Sequence, residues 1–151
     1  MRTSSTLVLD APVASVVPLV EDLSCYPEWM PMIHGLVRSD DGDGAAWDVE
    51  LRAKVGPFAR SKRLRMVRTA RETAPDGTVT VVFERREVPA RSHSPWTMTV
   101  RVVPRGAGCT VEMDLAYGGS LWTAGVLDRV LAANIEAGKS GLAAAVSARM
   151  H

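Results

Sequence analysis

Two polar side chains in this sequence, Arg85 and Tyr117, continue apolar stripes, where a catalytic or ligand-holding group would stand, and two more, Asn134 and His34, lie beside such features. Val79, Val81 and Phe83 alternate along one face of a strand, and Arg85 keeps their parity, with Glu87 next. An unpaired charge in a core is very costly, so an inward Arg85 needs a carboxylate, a carbonyl or a ligand anion beside it. The alternative is that the strand ends or bulges first and Arg85 reaches solvent. Aimed inward, it could stabilise a developing enolate or alkoxide. Tyr117 continues Val111, Met113 and Leu115; its hydroxyl either meets a ligand or bonds to backbone at the sheet rim. Asn134 borders the apolar stripe of the last helix, with the same two readings. His34 follows the segment Tyr26–Pro31 and is either a surface histidine or, with Tyr117, a proton shuttle. Arg85, Tyr117 and His34 are the catalytic candidates.

Other chemistries lack their residues. His34, His93 and His151 are scattered without metal-ligand spacing. There is no G-x-S-x-G segment and no phosphate-binding glycine loop followed by lysine. No metal or organic cofactor is expected. Cys25 and Cys109 form no C-x-x-C pair and read as reduced, small core residues, with a single disulfide as the other possibility. The 151 residues carry a net charge of +1, so nothing global points to nucleic acid or an anionic membrane. The start Met1-Arg2-Thr3-Ser4-Ser5 is followed by no apolar signal region, and no apolar stretch approaches the ~20 residues that span a bilayer. The expectation is a cytoplasmic protein folding as one domain over 1–151, 46% hydrophobic and 23% charged.

The elements that must position these side chains are legible from periodicity. Thr3–Leu9 reads as a first strand, and Asp10-Ala11-Pro12 as a helix start with Asp10 as capping carboxylate. Val13, Val16, Val17 and Val20 repeat at helical spacing, with Pro18 keeping that helix short or kinked. Tyr26–Pro31 has room for one helical turn between its prolines. The period then changes to two. Trp47, Val49, Leu51, Ala53 and Val55 share a face, as do Val79, Val81 and Phe83, then Trp96, Met98, Val100 and Val102, then Val111, Met113 and Leu115. One apolar and one solvated face predict an antiparallel sheet covered on one side. Asp40–Gly44, Gly56-Pro57, Pro75-Asp76-Gly77 and Pro104–Gly108 are turns at hairpin spacing. From about Leu121 to Met150 the period returns to helical, with Ser120 as cap and Leu127, Leu131, Ile135, Leu142 and Val146 on one stripe. Gly138 falls on that stripe, leaving room for a ligand or for close approach of a strand; Gly141 is the second interior glycine.

Arg60, Lys62, Arg63, Arg65, Arg68 and Arg71 form one basic run with no acid among them. Such a run is either a solvated strand facing Asp48 and Glu50 or a dock for an acidic partner or a ligand phosphate.

The segment Val20-Glu21-Asp22-Leu23-Ser24-Cys25-Tyr26-Pro27-Glu28-Trp29-Met30-Pro31 resembles the START-like helix-grip superfamily in its polyketide cyclase/dehydrase branch, and is similar to the coenzyme-Q-binding members. The first strand with Asp10-Ala11-Pro12 and the long last helix fit as well, so the resemblance covers nearly the whole chain. It implies an α+β helix-grip fold, in which a curved antiparallel sheet of about seven strands wraps a long C-terminal helix, with two short helices after the first strand. It also implies a cavity for a hydrophobic small molecule, lined by Trp29, Met30, Trp47, Leu51, Met66, Phe83, Trp96, Met98, Met113, Leu127, Leu131, Asn134, Ile135 and Gly138. Its leading functional implication is a cofactor-independent cyclase, aromatase or dehydrase that folds a poly-β-keto substrate. An acidic acyl carrier protein would then dock on Arg60–Arg71. The alternatives are a non-catalytic carrier or receptor for a lipid, isoprenoid or quinone, and an interaction module whose groove takes a peptide. Fold resemblance alone does not choose among them.

Overall fold

The computed structural model describes residues 2–39, 44–55, 57–87, 95–118 and 126–150, with backbone alone at 53, 55, 58, 60 and 126–131. The chain runs β1 (Arg2–Leu9), α1 (Val13–Val20), a 3-10 helix (Leu23–Glu28), β2 (Ile33–Arg38), β3 (Ala46–Val55), β4 (Phe58–Thr73), β5 (Val79–Arg85), β6 (Trp96–Arg105), β7 (Gly108–Tyr117) and α2 (Val126–Met150). The seven strands form one antiparallel sheet in the order β1-β7-β6-β5-β4-β3-β2. β2 to β7 are therefore a meander, and β1 returns to pair with β7. α2 packs against β1 and against β3, which lie near opposite ends of that order. One helix can reach both only because the sheet curls around it. This is the helix-grip fold.

The alternation expected from sequence sets the faces. Trp47 lies opposite Met66, Phe83 opposite Met98, and Met98 opposite Leu115, so large side chains meet across each ladder on the inner face. At the β4–β5 turn, Asp76 accepts from the Thr78 N–H at 2.9 Å and the Thr78 hydroxyl at 3.0 Å, while Gly77 takes φ +92°. Those two hydrogen bonds hold the Asp76 carboxyl below its usual range.

One helix-end expectation needs correction. Pro12, not Asp10, occupies the cap position of α1, in extended backbone conformation and without a side-chain cap. The chain turns into the helix on proline's fixed φ, and the Asp10 carboxylate accepts no capping bond. The predicted start of α2, with Ser120 and Leu121, lies outside the described residues, as do Gly56, His93 and His151. Cys25 and Cys109 are free thiols, both with pKa raised chiefly by burial.

A bulge between Arg68 and Ala70 shifts the register of β4. Before it, Lys62, Leu64, Met66 and Arg68 share the inner face; after it, Arg71 comes opposite inward-facing Val81. Both arginines thereby reach the C-terminal end of α1. Arg68 donates to the Glu21 carbonyl at 2.7 Å, and Arg71 pairs with the Glu21 carboxylate at 3.0 Å.

Candidate ligand-binding cavity

The segment Tyr26–Pro31 is fastened by its own polar atoms to the last turn of α1. The Tyr26 hydroxyl donates to the Val20 carbonyl at 2.8 Å, and Trp29 Nε1 donates to the Leu19 carbonyl at 3.1 Å. Helix ends leave carbonyls without intrahelical partners, and these aromatic side chains, with Arg68, satisfy three of them. Burial pushes the Tyr26 hydroxyl pKa well above its ordinary value, so the group stays a neutral donor. Trp47 Nε1 donates to Ser24 Oγ at 2.9 Å, tying the same segment to β3.

On the other side, α2 lies directly on the Trp29 backbone. A Cβ at Gly141 would fall inside van der Waals distance of the Trp29 carbonyl oxygen and 3.1 Å from Trp29 Cα. At Gly138 the nearest atom would be Trp29 Cζ3 at an ordinary 3.9 Å. The glycines therefore divide the labour. Gly141 permits close approach, to a helical turn and not to a strand, whereas Gly138 leaves space.

That space is one of two adjoining cavities between the inner face and α2. The larger, of about 110 Å³, is walled by Leu51, Leu64, Met66, Trp96, Met98 and Asn134, and closed by Tyr26 and Met30. The smaller, of about 80 Å³, lies between β1, β7 and α2 and is lined by Trp29, Met30, Met98, Met113, Ile135 and Gly138. Met30, Met98, Leu115 and Ile135 border both. Unbranched thioethers repack at little cost, so the partition is built from adaptable material.

At the β6 side of the larger cavity the inner face turns polar. Arg85 does point off the core face, with its side chain 9% exposed, and its Nε donates to Glu87 at 2.8 Å. The Glu87 carboxylate also accepts from the Arg65 backbone N–H at 3.2 Å. Lys62, opposite Leu51 on the inner face, sets its ammonium 5.5 Å from the Trp96 ring centroid. Burial, and then the nearby Arg85 charge, lower the Lys62 pKa. Trp96 stacks at 5.4 Å on Tyr117, its partner across the β6–β7 ladder. Trp96 Nε1 is buried without a hydrogen-bond partner among the described residues.

The predicted residues thus separate into three groups. Trp29, Met30, Leu51, Met66, Trp96, Met98, Met113, Asn134, Ile135 and Gly138 line a cavity. Trp47 and Phe83 are fully buried, 5.8 Å apart, and line neither; they are core behind the cavity wall. Arg85 and Tyr117 stand one layer behind the lining, at its polar end. His34 is a correction: it is exposed at the register shift between Ile33 and Gly35, with Nε2 3.3 Å from Arg52, lines neither cavity, and is not placed to move a proton in either. The side chains of Leu127 and Leu131 lie outside the described residues.

Lys62, which meets the Trp96 ring without itself lining either cavity, was not singled out by the sequence, and Tyr26 was read only as part of the Tyr26–Pro31 segment. Lys62 shares parity with Leu64 and Met66, the same signal that flagged Arg85, but membership in a basic run masked it. Ser5 and Leu7, which also line the smaller cavity, were missed because the inner parity of β1 carries hydroxyls. The run itself is divided by the pleat. Arg65 and Arg63 sit opposite Asp48 and Glu50, while Lys62, Arg68 and Arg71 turn to the core side. Arg65 is itself buried, with Nη1 donating to the Arg86 carbonyl. The run therefore does not present one continuous basic face.

Among the described residues no cluster of metal-ligating side chains occurs, and no helix is long and apolar enough to cross a membrane.

A curled antiparallel sheet gripping a terminal helix, with an apolar cavity between them, defines a START-like ligand-cavity protein. Residues 1–147 match the family described as polyketide cyclase/dehydrase and lipid transport, and the chain belongs to that family. No curated protein matches it. Among solved structures it is similar to TTHA0849 from Thermus thermophilus, at 17% identity, TM-score 0.69 and complete coverage of both chains. It is similar to the Zhui aromatase/cyclase from Streptomyces sp. R1128, at 16% identity and TM-score 0.64, covering 100% of this chain and 96% of that one. The human StAR-related lipid transfer protein 5 aligns with TM-score 0.76 and 11% identity, over 99% of this chain and 77% of that one. At these identities the likeness is one of fold.

Proposed function

We propose that the protein binds a hydrophobic small molecule between sheet and α2 and works as a carrier or receptor for it. The observation behind this reading is the lining. Apolar and thioether side chains from β1, β3, β4, β6, β7 and α2 converge on space that a packed core would fill. The one phenol in the larger cavity, Tyr26, is committed to the Val20 carbonyl and keeps its proton far above neutral pH. The family description, which includes lipid transport, supports the same reading. Native mass spectrometry of the purified protein, with denaturing extraction of whatever is bound, is the test. A lipid, isoprenoid or quinone in near-stoichiometric amount is expected. A consistently empty protein that no such compound stabilises against heat would overturn the reading.

One observation favours cyclase or dehydrase catalysis as a second reading: the Lys62 ammonium lies over the ring of Trp96, a residue of the cavity lining, and the Arg85 charge is near enough to lower the Lys62 pKa. Positive charge there would favour an enolate in the cavity. Arg85→Met should then abolish turnover of a poly-β-keto thioester in a folded protein, and undiminished turnover would remove Arg85 from any catalytic role.

A further inference from the structure

Of the three tryptophans described, Trp96 alone has a buried indole N–H with no acceptor among the described residues. Trp29 donates to Leu19, and Trp47, behind the wall, donates to Ser24. Trp96 is 7% exposed, lines the larger cavity, and its Nε1 has no partner among the described residues. A buried donor left unsatisfied costs stability unless something else supplies the acceptor. The neighbouring charges say what kind of acceptor. Arg85 is offset by Glu87 at 2.8 Å. Lys62, over the Trp96 ring, has no carboxylate partner among the described residues. Its position is held by an aromatic face, a weak substitute for a counter-ion.

We propose that the larger cavity takes an apolar ligand ending in a carboxylate, whose oxygens accept from Trp96 Nε1–H and pair with the Lys62 ammonium. The apolar tail then lies along Leu64, Met66 and Met98, and the carboxylate completes both orphaned groups at once. The lowered Lys62 pKa agrees with a cation that is desolvated and crowded by Arg85, the condition a ligand anion relieves. This inference rests on the ligand-binding reading and narrows it to a class of ligand.

The test compares decanoate with decan-1-ol, equal in chain length and different in headgroup charge, by isothermal titration at neutral pH. Wild-type protein should bind decanoate roughly tenfold more tightly than the alcohol, as a charge-assisted pair requires. Lys62→Met should remove that preference, lowering decanoate affinity far more than alcohol affinity. Trp96→Phe, which keeps the aromatic wall and deletes only the donor end of the ring, should weaken both ligands, since each offers an oxygen. Equal affinity of the two ligands for wild type, or a preference that survives Lys62→Met, overturns the carboxylate assignment while leaving the hydrophobic cavity standing. Binding of neither ligand overturns both.

Discussion

The α1 side of the cavity and its β6 side are built from the same residue types with opposite outcomes for their polar atoms. At the α1 side, Tyr26 and Trp29 each place a buried donor on a helix-end carbonyl, and Arg68 closes a third. At the β6 side, Trp96 holds a buried donor with no acceptor, and Lys62 a half-buried cation with no acid among the described residues. Fully satisfied polar groups make a scaffold; unsatisfied ones mark where the fold has sacrificed stability, and a ligand is the simplest recipient. The difference separates the residues that hold the cavity from those that would read what enters it.

The contrast fails or strengthens most visibly at Gly141. Gly141→Ala drives a methyl into the Trp29 carbonyl, so α2 must lift off the segment it grips. Overpacking of this kind costs about 1–3 kcal/mol, and backbone as the obstacle puts it at the upper end, read as a lower urea midpoint. A matched pair comes next. Trp29→Phe orphans the Leu19 carbonyl, whereas Trp96→Phe orphans nothing described. Beyond the packing loss common to both, Trp29→Phe should be the more destabilising by about 1–3 kcal/mol in denaturant titration. Equal losses would mean that the two sides do not differ as described.

Alkaline pH probes the scaffold alone. The folded pKa of Tyr26 is raised by burial, so its contribution to stability is complete below the unfolded value of about 10 and is lost as pH rises through the folded value. Tyr26→Phe should be less stable at neutral pH, and its deficit should shrink above about pH 10. A deficit constant across that range would contradict a buried neutral phenol. The smallest effect has the opposite sign. Gly138→Ala adds a methyl at ordinary contact distance and removes backbone freedom, so thermal stability should rise by about 0.4–1 kcal/mol while the smaller cavity shrinks. Lower affinity for decan-1-ol in that more stable variant would show that the ligand reaches past Met30 and Met98 into the smaller cavity, and unchanged affinity that it keeps to the larger one.

Period-two alternation made the sheet legible in the sequence, because an inner face is apolar along most of its length. Val79, Val81 and Phe83 announce β5 with no tertiary knowledge at all. The cavity lining was legible to the same degree, since cavity and core occupy one face. What parity does not carry is depth. Trp47 and Phe83 have the same pattern as Trp96 and Met98, yet the curl of the sheet places the first two behind the wall and the others on it. His34 failed differently. Proximity in sequence to Tyr26–Pro31 suggested a place near the cavity, but His34 sits at the register shift between Ile33 and Gly35, where the side chain is left exposed. Lys62 was hidden by its charged neighbours, although its parity with Leu64 and Met66 pointed inward. Gly141 was the harder case, because a close approach depends on a partner backbone more than a hundred residues away in the chain.

Methionine methyl resonances give the most direct test that a ligand occupies this space. Of the seven methionines, Met30, Met32, Met66, Met98 and Met113 border the cavities, and Met150 lies exposed near the end of α2. With the methyl groups carbon-13 labelled and decan-1-ol titrated in, Met30 and Met98, which border both cavities, should shift most and saturate together, with Met150 unmoved. Saturating shifts confined to Met150, with Met30 and Met98 unchanged, would contradict a ligand cavity between the sheet and α2.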